Sequence, residues 1–277
     1  MILHADLHLH STASDGSGTP ARVVERAAAL GLKVIALTDH DTLDGLPEAR
    51  AAGERLGVRV VAGTELTCYR DNKEINILGY GVDPASPALR AHCEAFVAAR
   101  QARAREIGQK LAALGVPVDM EAVVASTDGG VVGRPHVAKA LVAAGHAKDP
   151  QEAFDKYLGN GKPADVPKMV VDSQFIIDVI HAAGGIAVLA HPGLWNQFDL
   201  VPILKEMGLD GVEVWHSIHT GADRERLHAL ADAHGLVKTG GSDCHGSGGT
   251  RTGTELMGTC GLDEEHWLKV EAAMEGR

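Results

Sequence analysis

Short β-branched apolar segments alternate along the chain with longer Ala-rich segments of helical periodicity. Segments that are apolar throughout are typical of strands buried on both faces, as in a parallel sheet covered by helices. Seven such segments are predicted to be parallel strands: Ile2–His8, Val34–Thr38, Val58–Ala62, Ile75–Gly79, Ile186–Ala190, Gly211–Val214 and Leu236–Thr239. With helices between them, they favour a closed or nearly closed α/β barrel.

The helix after the first strand has clear boundary signals. Thr19 suits the N-cap, Pro20 suits the first helical position, and Gly31 follows the last apolar position as a stop signal. Further helical patterns cover Leu43–Leu56, Gln174–Ala183, Leu200–Met207 and Asp223–His234. This repetition of strand and helix supports the barrel prediction.

The alternation stops between about Pro87 and Pro167, where no strand-like segment occurs. Helical patterns occupy this stretch, at Leu89–Leu114, Met120–Ala125, Pro135–Ala144 and Gln151–Leu158. We therefore predict a barrel formed by residues 1–86 and 168–277, with residues 87–167 as a helical insertion that covers the active site.

Composition and charge restrict the class of protein. The chain has 277 residues, of which 45% are hydrophobic and 23% charged, and this composition suits a large folded core. Its net charge of −11 argues against bulk electrostatic binding of nucleic acid. Because no apolar segment is long enough to span a bilayer and the first residues do not resemble a signal peptide, we expect a cytoplasmic protein without membrane association.

Most of the predicted strands end in a side chain that can bind a metal ion. The carboxyl ends of parallel strands face a common cleft, so these residues should converge although they are distant in sequence. They are Asp6, His8, His10, Asp39, His40, Asp41, Glu65, His191, His216, Asp243 and His245. Imidazole and carboxylate ligands together suit zinc, manganese or iron. Asp6 is expected to orient a ligating histidine instead of binding metal itself.

Several other enzyme classes are disfavoured by missing motifs. The chain has no G-x-x-x-x-G-K-[ST] phosphate-binding loop and no G-x-G-x-x-G in a first βα turn. It also lacks the G-x-S-x-G elbow of serine hydrolases. A nucleotide-driven motor, a Rossmann dehydrogenase and a serine hydrolase therefore do not fit the sequence.

Five motifs, in order along the chain, resemble those of the PHP (polymerase and histidinol phosphatase) superfamily of metal-dependent phosphoesterases. They are Asp6-Leu7-His8-Leu9-His10-Ser11 with Ser14-Asp15-Gly16, Leu37-Thr38-Asp39-His40-Asp41-Thr42, Gly63-Thr64-Glu65, Ala190-His191-Pro192-Gly193 and Gly241-Ser242-Asp243-Cys244-His245-Gly246. Gly133-Arg134-Pro135-His136 and the segment Phe154–Gly159 further resemble the branch that contains nucleotide phosphatases and a 5′ to 3′ exoribonuclease acting on short RNA. The resemblance implies a distorted seven-stranded (β/α) barrel with a helical insertion.

The resemblance also implies two or three divalent metal ions, Mn²⁺, Zn²⁺ or Fe²⁺. The first site would consist of His8, His10, Glu65 and Asp243, the second of Asp15, His40 and His245, and the third in part of Glu65 and His191. The family usually has a histidine where this chain has Asn76 on the fourth predicted strand. An amide oxygen is a poorer ligand for these metals than an imidazole nitrogen, so we expect the third ion to be weakly held.

The function expected from these features is hydrolysis of nucleotide phosphate esters through a metal-bound hydroxide. The substrate would be a nucleoside monophosphate, a 3′,5′-bisphosphonucleotide or the 5′ end of a short RNA. Arg134 would clamp a phosphate, and His136 would bind phosphate or protonate the leaving group. Trp195 would stack on a base. The structural alternatives are a loop-stabilising arginine, a histidine at a helix N-terminus and a core tryptophan.

Three other functions remain open at this point. The chain could be a phosphatase for a small metabolite such as histidinol phosphate, or a metal-dependent amidohydrolase. It could also be a metal-binding regulatory module without turnover, although the intact set of strand-end ligands argues against this function.

Overall fold

The computed structural model describes residues 3–71, 73–127, 132–246 and 256–277. Ile2, at the start of the first predicted strand, lies outside these residues. The chain forms two compact units, one made of Met1–His92 with Val171–Arg277 and the other of Cys93–Val170. The predicted division at residues 87 and 167, and the covering of the active site by the insertion, stay predictions.

Seven strands form a single sheet in the first unit, counted over the described residues. They are β1 (Ala5–Leu9), β2 (Val34–Leu37), β3 (Arg59–Arg70), β4 (Lys73–Tyr80), β5 (Ile186–Leu189), β6 (Gly211–His216) and β7 (Val237–Gly241), adjacent in that order. The end of β1 also meets the segment that follows β7, because Asp243 N donates to His8 O at 2.9 Å and His10 N to Cys244 O at 3.1 Å. The sheet is thus a nearly closed barrel, and the predicted seven-stranded α/β fold is confirmed.

The direction of β4 differs from the prediction. β4 pairs antiparallel with both β3 and β5, and Arg70 lies opposite Lys73, so β3 and β4 form a hairpin. β3 continues past its predicted end at Ala62 as far as Arg70. A parallel connection needs a dozen or more residues, and the two residues left between these strands allow only a tight turn. The prediction of seven parallel strands is therefore wrong at β4.

All helices but the last lie where the sequence predicts them, between the strands or within residues 87–167. The described helices are α1 (Pro20–Ala29), α2 (Leu46–Leu56), α3 (Pro87–Ala113), α4 (Met120–Ala125), α5 (Arg134–Ala143), α6 (Pro150–Ala153), α7 (Ser173–Ala182), α8 (Leu200–Glu206), α9 (Gly221–His234) and α10 (Glu264–Glu275). The predicted N-cap is confirmed, because the side chain of Thr19 accepts a hydrogen bond from Arg22 N. The predicted helix at residues 151–158 is instead α6 followed by a π-helical turn, Phe154–Leu158.

Each unit has its own hydrophobic core. In the first unit, Leu78, Tyr80 and Val188 from the strands pack in one cluster with Trp267 and Val270 of α10. α10 has no counterpart among the predicted helices. The core of the second unit includes Ile107, Leu111, Val137, Leu141 and Leu158. No described helix is both long and apolar enough to cross a membrane.

Candidate metal centre

A register shift in β1 decides which of its side chains enter the barrel. Asp6 lies opposite Ile35 of β2, but Leu9 lies opposite Leu37, so β1 contains one extra residue between these pairs. Side chains alternate between the two faces of a strand, and an extra residue reverses that alternation. Leu9 therefore shares the outer face with Leu37, and His8 faces the interior.

A second register shift has the same effect in β6. Glu213 lies opposite Thr239 of β7, whereas Trp215 lies opposite Gly240. β6 therefore contains one extra residue between these two pairs, and the regular pairing resumes after it. The extra residue turns Trp215 outward, where its ring makes edge contacts with the rings of His228 and His266. Glu213 and His216 therefore face the same barrel interior as His8.

Seven side chains form two overlapping groups whose potential ligand atoms lie within 4.8 Å of one another. The first group is His8, His10, Glu65 and Asp243, and the second is His10, Asp15, His40 and His245. These residues come from the carboxyl ends or following loops of β1, β2 and β7 and from the middle of β3. The structure thus brings together the residues predicted for the first and second metal sites, and His10 belongs to both groups.

Glu65 is the central carboxylate of this cluster. Its Oε2 atom lies 3.1 Å from His8 Nε2, 3.3 Å from His10 Nε2 and 3.3 Å from His40 Nδ1. Its Oε1 atom lies 2.9 Å from His191 Nε2. Burial raises the pKa of Glu65, but the imidazoles of His40 and His8 outweigh burial and hold that pKa well below its usual range. Glu65 is therefore an ionised carboxylate that can bridge two cations.

Asp243 and Asp15 complete the two groups. Asp243 Oδ1 lies 3.1 Å from His10 Nε2 and 3.4 Å from His8 Nε2. Asp15 Oδ1 lies 3.2 Å from His245 Nε2. Burial raises the pKa of Asp243, but His8 and His10 hold it well below the usual range. Both carboxylates thus face imidazole rings that can share a cation with them.

Two residues of the cluster have a strained backbone. Asp243 has a φ of 55° and His191 a φ of 29°, in the region that most side chains avoid. Such conformations are kept where the surrounding structure enforces them, and they concentrate at functional sites. The backbone conformation of His191 directs its ring toward Glu65, and that of Asp243 directs its carboxylate toward His8 and His10.

The unpaired nitrogens of the cluster fit a metal ion. His10 is 1% exposed, and its Nε2 atom lies close to two carboxylate oxygens without the geometry of a hydrogen bond, while among the described residues neither His10 Nδ1 nor His191 Nδ1 has a hydrogen-bond partner. A buried polar atom without a partner is costly. Imidazole nitrogens and carboxylate oxygens in this number are the ligands that divalent zinc, manganese or iron prefers. The donor set therefore fits a divalent cation in each group.

Asn76 lies on the same face of the sheet as Glu65. Glu65 is opposite Leu78 and Thr67 is opposite Asn76 in the β3–β4 ladder, and residues two apart share a face. The Asn76 Oδ1 atom is buried and has no hydrogen-bond partner among the described residues. The chain thus has an amide carbonyl oxygen, not an imidazole nitrogen, on this face of β4.

Two buried aspartates support the loops that carry the ligands. Asp6 accepts hydrogen bonds from Ser242 N at 2.9 Å and Gly258 N at 3.2 Å, and its longer contact to His8 is also to a backbone N–H. Burial raises the pKa of Asp6 to about 6 against the lowering effect of these hydrogen bonds. Asp6 thus contacts His8 through the backbone N–H group, and the expectation that it orients a ligating histidine stays a prediction.

Asp39 has the corresponding role beside the first strand. Its carboxylate accepts hydrogen bonds from Ser11 N, Ser11 Oγ and Ser14 Oγ, each at 2.7 Å. These contacts hold the loop that presents Asp15. Asp41 similarly accepts from the backbone and side chain of Thr67. Neither residue belongs to a ligand group formed by the described residues.

Glu213 and His216 form a third group with His8, and Glu213 was missed by the sequence analysis. Glu213 lies within the predicted apolar strand Gly211–Val214 and is the single charged residue of that segment. A charge in a strand buried on both faces is the signal that could have revealed it, since such a charge requires partners.

The predicted substrate-binding residues lie in different units. Arg134 belongs to the second unit, where its Nη1 atom donates to Leu158 O at 3.0 Å and Asn160 Oδ1 at 2.8 Å. His136 Nδ1 accepts a hydrogen bond from Gly133 N at 3.1 Å. Both residues thus have the structural contacts expected of the alternative interpretation, and their role toward substrate stays a prediction.

Trp195 belongs to the first unit and is not a core residue. Its side chain is 52% exposed, and its ring lies edge-on to the His191 ring at 5.9 Å between centroids. Leu194 beside it is also exposed. The alternative of a core tryptophan is wrong.

The family-model match includes the N-terminal part of this cluster, from His8 to Glu65. Residues 6–158 match the model of the PHP domain family. The chain belongs to the PHP domain family. Its resemblance to that family is therefore confirmed.

Three curated PHP relatives match most of the chain. A phosphoribosyl 1,2-cyclic phosphate 1,2-diphosphodiesterase of Eggerthella lenta is 41% identical over 88% of this chain and 95% of its own length. A 3′,5′-nucleoside bisphosphate phosphatase of Chromobacterium violaceum is 38% identical over 98% of both chains. The 5′-3′ exoribonuclease Rnm of Escherichia coli is 36% identical over 87% of this chain and 84% of its own.

Two solved structures share the fold over nearly the whole chain. One, a candidate metal-dependent phosphoesterase from Bifidobacterium adolescentis, has a TM-score of 0.83 and 32% identity and covers 99% of this chain and 98% of its own. The other is called an amidohydrolase, comes from Chromobacterium violaceum and contains bound sulfate. It has a TM-score of 0.80 and 34% identity and covers 98% of this chain and 96% of its own.

Proposed function

We propose that this PHP protein is a metal-dependent phosphoesterase that hydrolyses phosphate esters of nucleotides. The observation that carries the proposal is the buried Glu65 carboxylate surrounded by four imidazoles, with Asp243 and Asp15 at its two sides. The names of the three curated relatives support the substrate class, since each refers to a phosphorylated ribose derivative or to RNA.

The two ligand groups would hold two divalent ions, with Mn²⁺, Zn²⁺ and Fe²⁺ as the candidates. The first ion would be held by His8, His10, Glu65 and Asp243, and the second by Asp15, His40 and His245, with His10 common to the two groups. Such ions supply Lewis acidity toward water and toward the phosphoryl oxygens. Asn76 with Glu65 and His191 offers a poorer third set, because an amide oxygen replaces an imidazole nitrogen.

The residues of the chain have separate tasks in this reaction. The ionised carboxylates of Glu65 and Asp243 concentrate negative charge at one point of the cluster and so place the cations. His136 accepts a backbone hydrogen bond at Nδ1, so its neutral ring carries the proton on Nε2. With substrate bound, His136 would donate from Nε2 to a phosphate oxygen or to the leaving group. Arg134 donates to Leu158 O through Nη1, and it would bind a phosphate through the other N–H groups of its guanidinium.

Trp195 would provide the surface for a base. Its indole is half exposed and lies against His191, which in turn contacts Glu65. Stacking on an aromatic ring does not depend on the identity of the base. We therefore expect a preference for nucleotides over sugar phosphates without strong selection among the bases.

The test is a screen for phosphate release by the purified protein loaded with Mn²⁺. The substrates would be AMP, 3′,5′-bisphosphonucleotides, short 5′-phosphorylated RNA, histidinol phosphate and sugar phosphates, with amide substrates as a separate arm. We expect release from one or more of the nucleotides and loss of activity after chelation. Hydrolysis of amides alone, or phosphate release that persists after elemental analysis shows the metals to be gone, would refute the proposal.

A further inference from the structure

Glu213 is a buried carboxylate behind the metal-ligand groups. It is fully buried in β6, and its Oε1 atom lies 3.0 Å from His8 Nδ1. Its Oε2 atom accepts a hydrogen bond from His191 N at 2.8 Å. One carboxylate therefore contacts two residues of the cluster that lie on two other strands or their ends.

The contact with His8 decides which of its nitrogens can bind metal. His8 Nε2 faces Glu65 Oε2 at 3.1 Å and Asp243 Oδ1 at 3.4 Å. A neutral imidazole has one N–H group and one lone pair. If Nδ1 donates its proton to Glu213, the lone pair lies on Nε2, on the side of Glu65 and Asp243.

The contact with His191 acts on the backbone. His191 has a φ of 29°, a conformation that needs support from its surroundings. The hydrogen bond from its N–H group to Glu213 supplies that support. The same residue reaches Glu65 with its Nε2 atom at 2.9 Å, so the placement of this ring depends on the placement of its backbone.

The group formed by His8, Glu213 and His216, which is separate from the weak site at Asn76, does not suit a metal ion. The reason is the hydrogen bonds that its two histidine rings make. His216 Nε2 is buried without a hydrogen-bond partner among the described residues, but His216 Nδ1 accepts a hydrogen bond from Ile218 N at 3.3 Å, so a neutral His216 ring carries its proton on Nε2. Metal binding by this group would need a lone pair on that Nε2 atom and on His8 Nδ1. His8 would then have to bind metal with both of its nitrogens.

We propose that Glu213 is a positioning residue of the metal centre, which sets the tautomer and orientation of His8 and the backbone of His191 without binding metal. The proposal rests on the proposed metal centre but not on the identity of the substrate. Carboxylates that accept the second N–H of a ligating histidine raise its basicity, and their loss typically lowers metal affinity by about 10–100-fold.

The first test is Mn²⁺ affinity of Glu213→Gln, measured by competition with a chelating indicator dye. Gln has nearly the same shape as Glu but one acceptor oxygen, so it can accept from His8 or from His191 but not from both. We expect affinity to fall by about 10–100-fold while the number of ions bound at saturation stays unchanged. Unchanged affinity would overturn the proposal, and so would the loss of one bound ion at saturation, which would make Glu213 a ligand.

Asp210→Asn is the matched control. Asp210, next to the other end of β6, also accepts from a histidine ring, His181 Nε2 at 2.8 Å, and from a strand N–H, Ala187 N at 2.8 Å. It belongs to none of the ligand groups that the described residues form. We expect its variant to lose stability but to keep wild-type Mn²⁺ affinity. An equal loss of affinity in both variants would mean that Glu213 acts only through stability and would overturn the assignment.

A spectroscopic test uses the protein loaded with Zn²⁺. In ¹⁵N-labelled wild type, the His8 Nδ1–H signal should lie far downfield and exchange slowly, and Glu213→Gln should move it upfield. If Glu213→Gln does not fold, Glu213→Asp keeps the charge but shortens the side chain and should weaken Mn²⁺ binding in the same direction. An unshifted His8 signal would refute the proposal.

The wild-type protein separates this assignment from the proposed function. If it binds Mn²⁺ but hydrolyses no phosphate ester, the proposed function is refuted and the assignment of Glu213 is not. If it binds neither Mn²⁺ nor Zn²⁺, both are refuted.

Discussion

Replacing Asp243 with Asn tests the metal centre most directly. Asp243 Oδ1 lies 3.1 Å from His10 Nε2 and 3.4 Å from His8 Nε2. One carboxylate oxygen therefore lies close to both histidine rings of the first ligand group. Asn has nearly the same shape as Asp and tolerates the φ of 55° at this position about as well. The substitution therefore removes a charge while the backbone and the packing are preserved.

The size of the effect follows from the charges at the site. The pKa of Asp243 is held well below its usual range, so the wild-type residue is ionised at neutral pH and the variant loses a full negative charge. The first ligand group then keeps only Glu65 to balance a divalent ion. We expect kcat/KM to fall at least about a hundredfold, as for disrupted metal sites, which corresponds to about 2.7 kcal/mol.

The assay compares phosphate release with metal content measured by elemental analysis after identical dialysis. Asp178→Asn is the control, because Asp178 is an exposed residue of α7 whose carboxylate accepts from Gln174. The control should keep wild-type activity and metal content, and both proteins should keep the wild-type circular dichroism spectrum. Wild-type turnover with a full metal complement in Asp243→Asn would remove this residue from the site and refute the reasoning.

Three further predictions concern Arg134, Asn76 and the protonation of His10. Arg134→Ala should weaken substrate handling by about 1.5–3 kcal/mol with unchanged metal content, and lost metal with a normal KM would contradict its role. Asn76→His should raise the metal content toward three ions per chain, whereas three tightly held ions in wild type would refute the weak third site. Metal binding at pH 7 should release protons and weaken as pH falls, because burial lowers the pKa of His10 but Asp243 and Glu65 raise it to about 10, so that ring must lose a proton to bind. Calorimetry in buffers of different ionisation enthalpy measures the release, and heats independent of buffer would contradict it.

The strands, most helices and the clustering of strand-end histidines and carboxylates could be predicted from the sequence because they depend on local patterns, whereas Asp15 was added by the family resemblance. An apolar segment such as Ile186–Leu189 can only be buried, and a helix such as α1 carries its own boundary signals in Thr19 and Pro20. His8 and Asp243 follow or end such strands, and the carboxyl ends of parallel strands meet at one edge of a sheet. Local patterns together with this one geometric rule therefore brought distant residues into one predicted site.

The direction of β4, the register shifts and the role of Glu213 depend on contacts between segments far apart in the chain. Nothing local distinguishes a parallel from an antiparallel strand, and β4 is antiparallel because β3 extends to Arg70 and leaves only a tight turn. The extra residues in β1 and β6 become visible only against the neighbouring strand, yet they bring His8 and Glu213 to the same interior. Tertiary structure alone pairs these two side chains, because a buried charge such as Glu213 must find its partners across the barrel and not along its own strand.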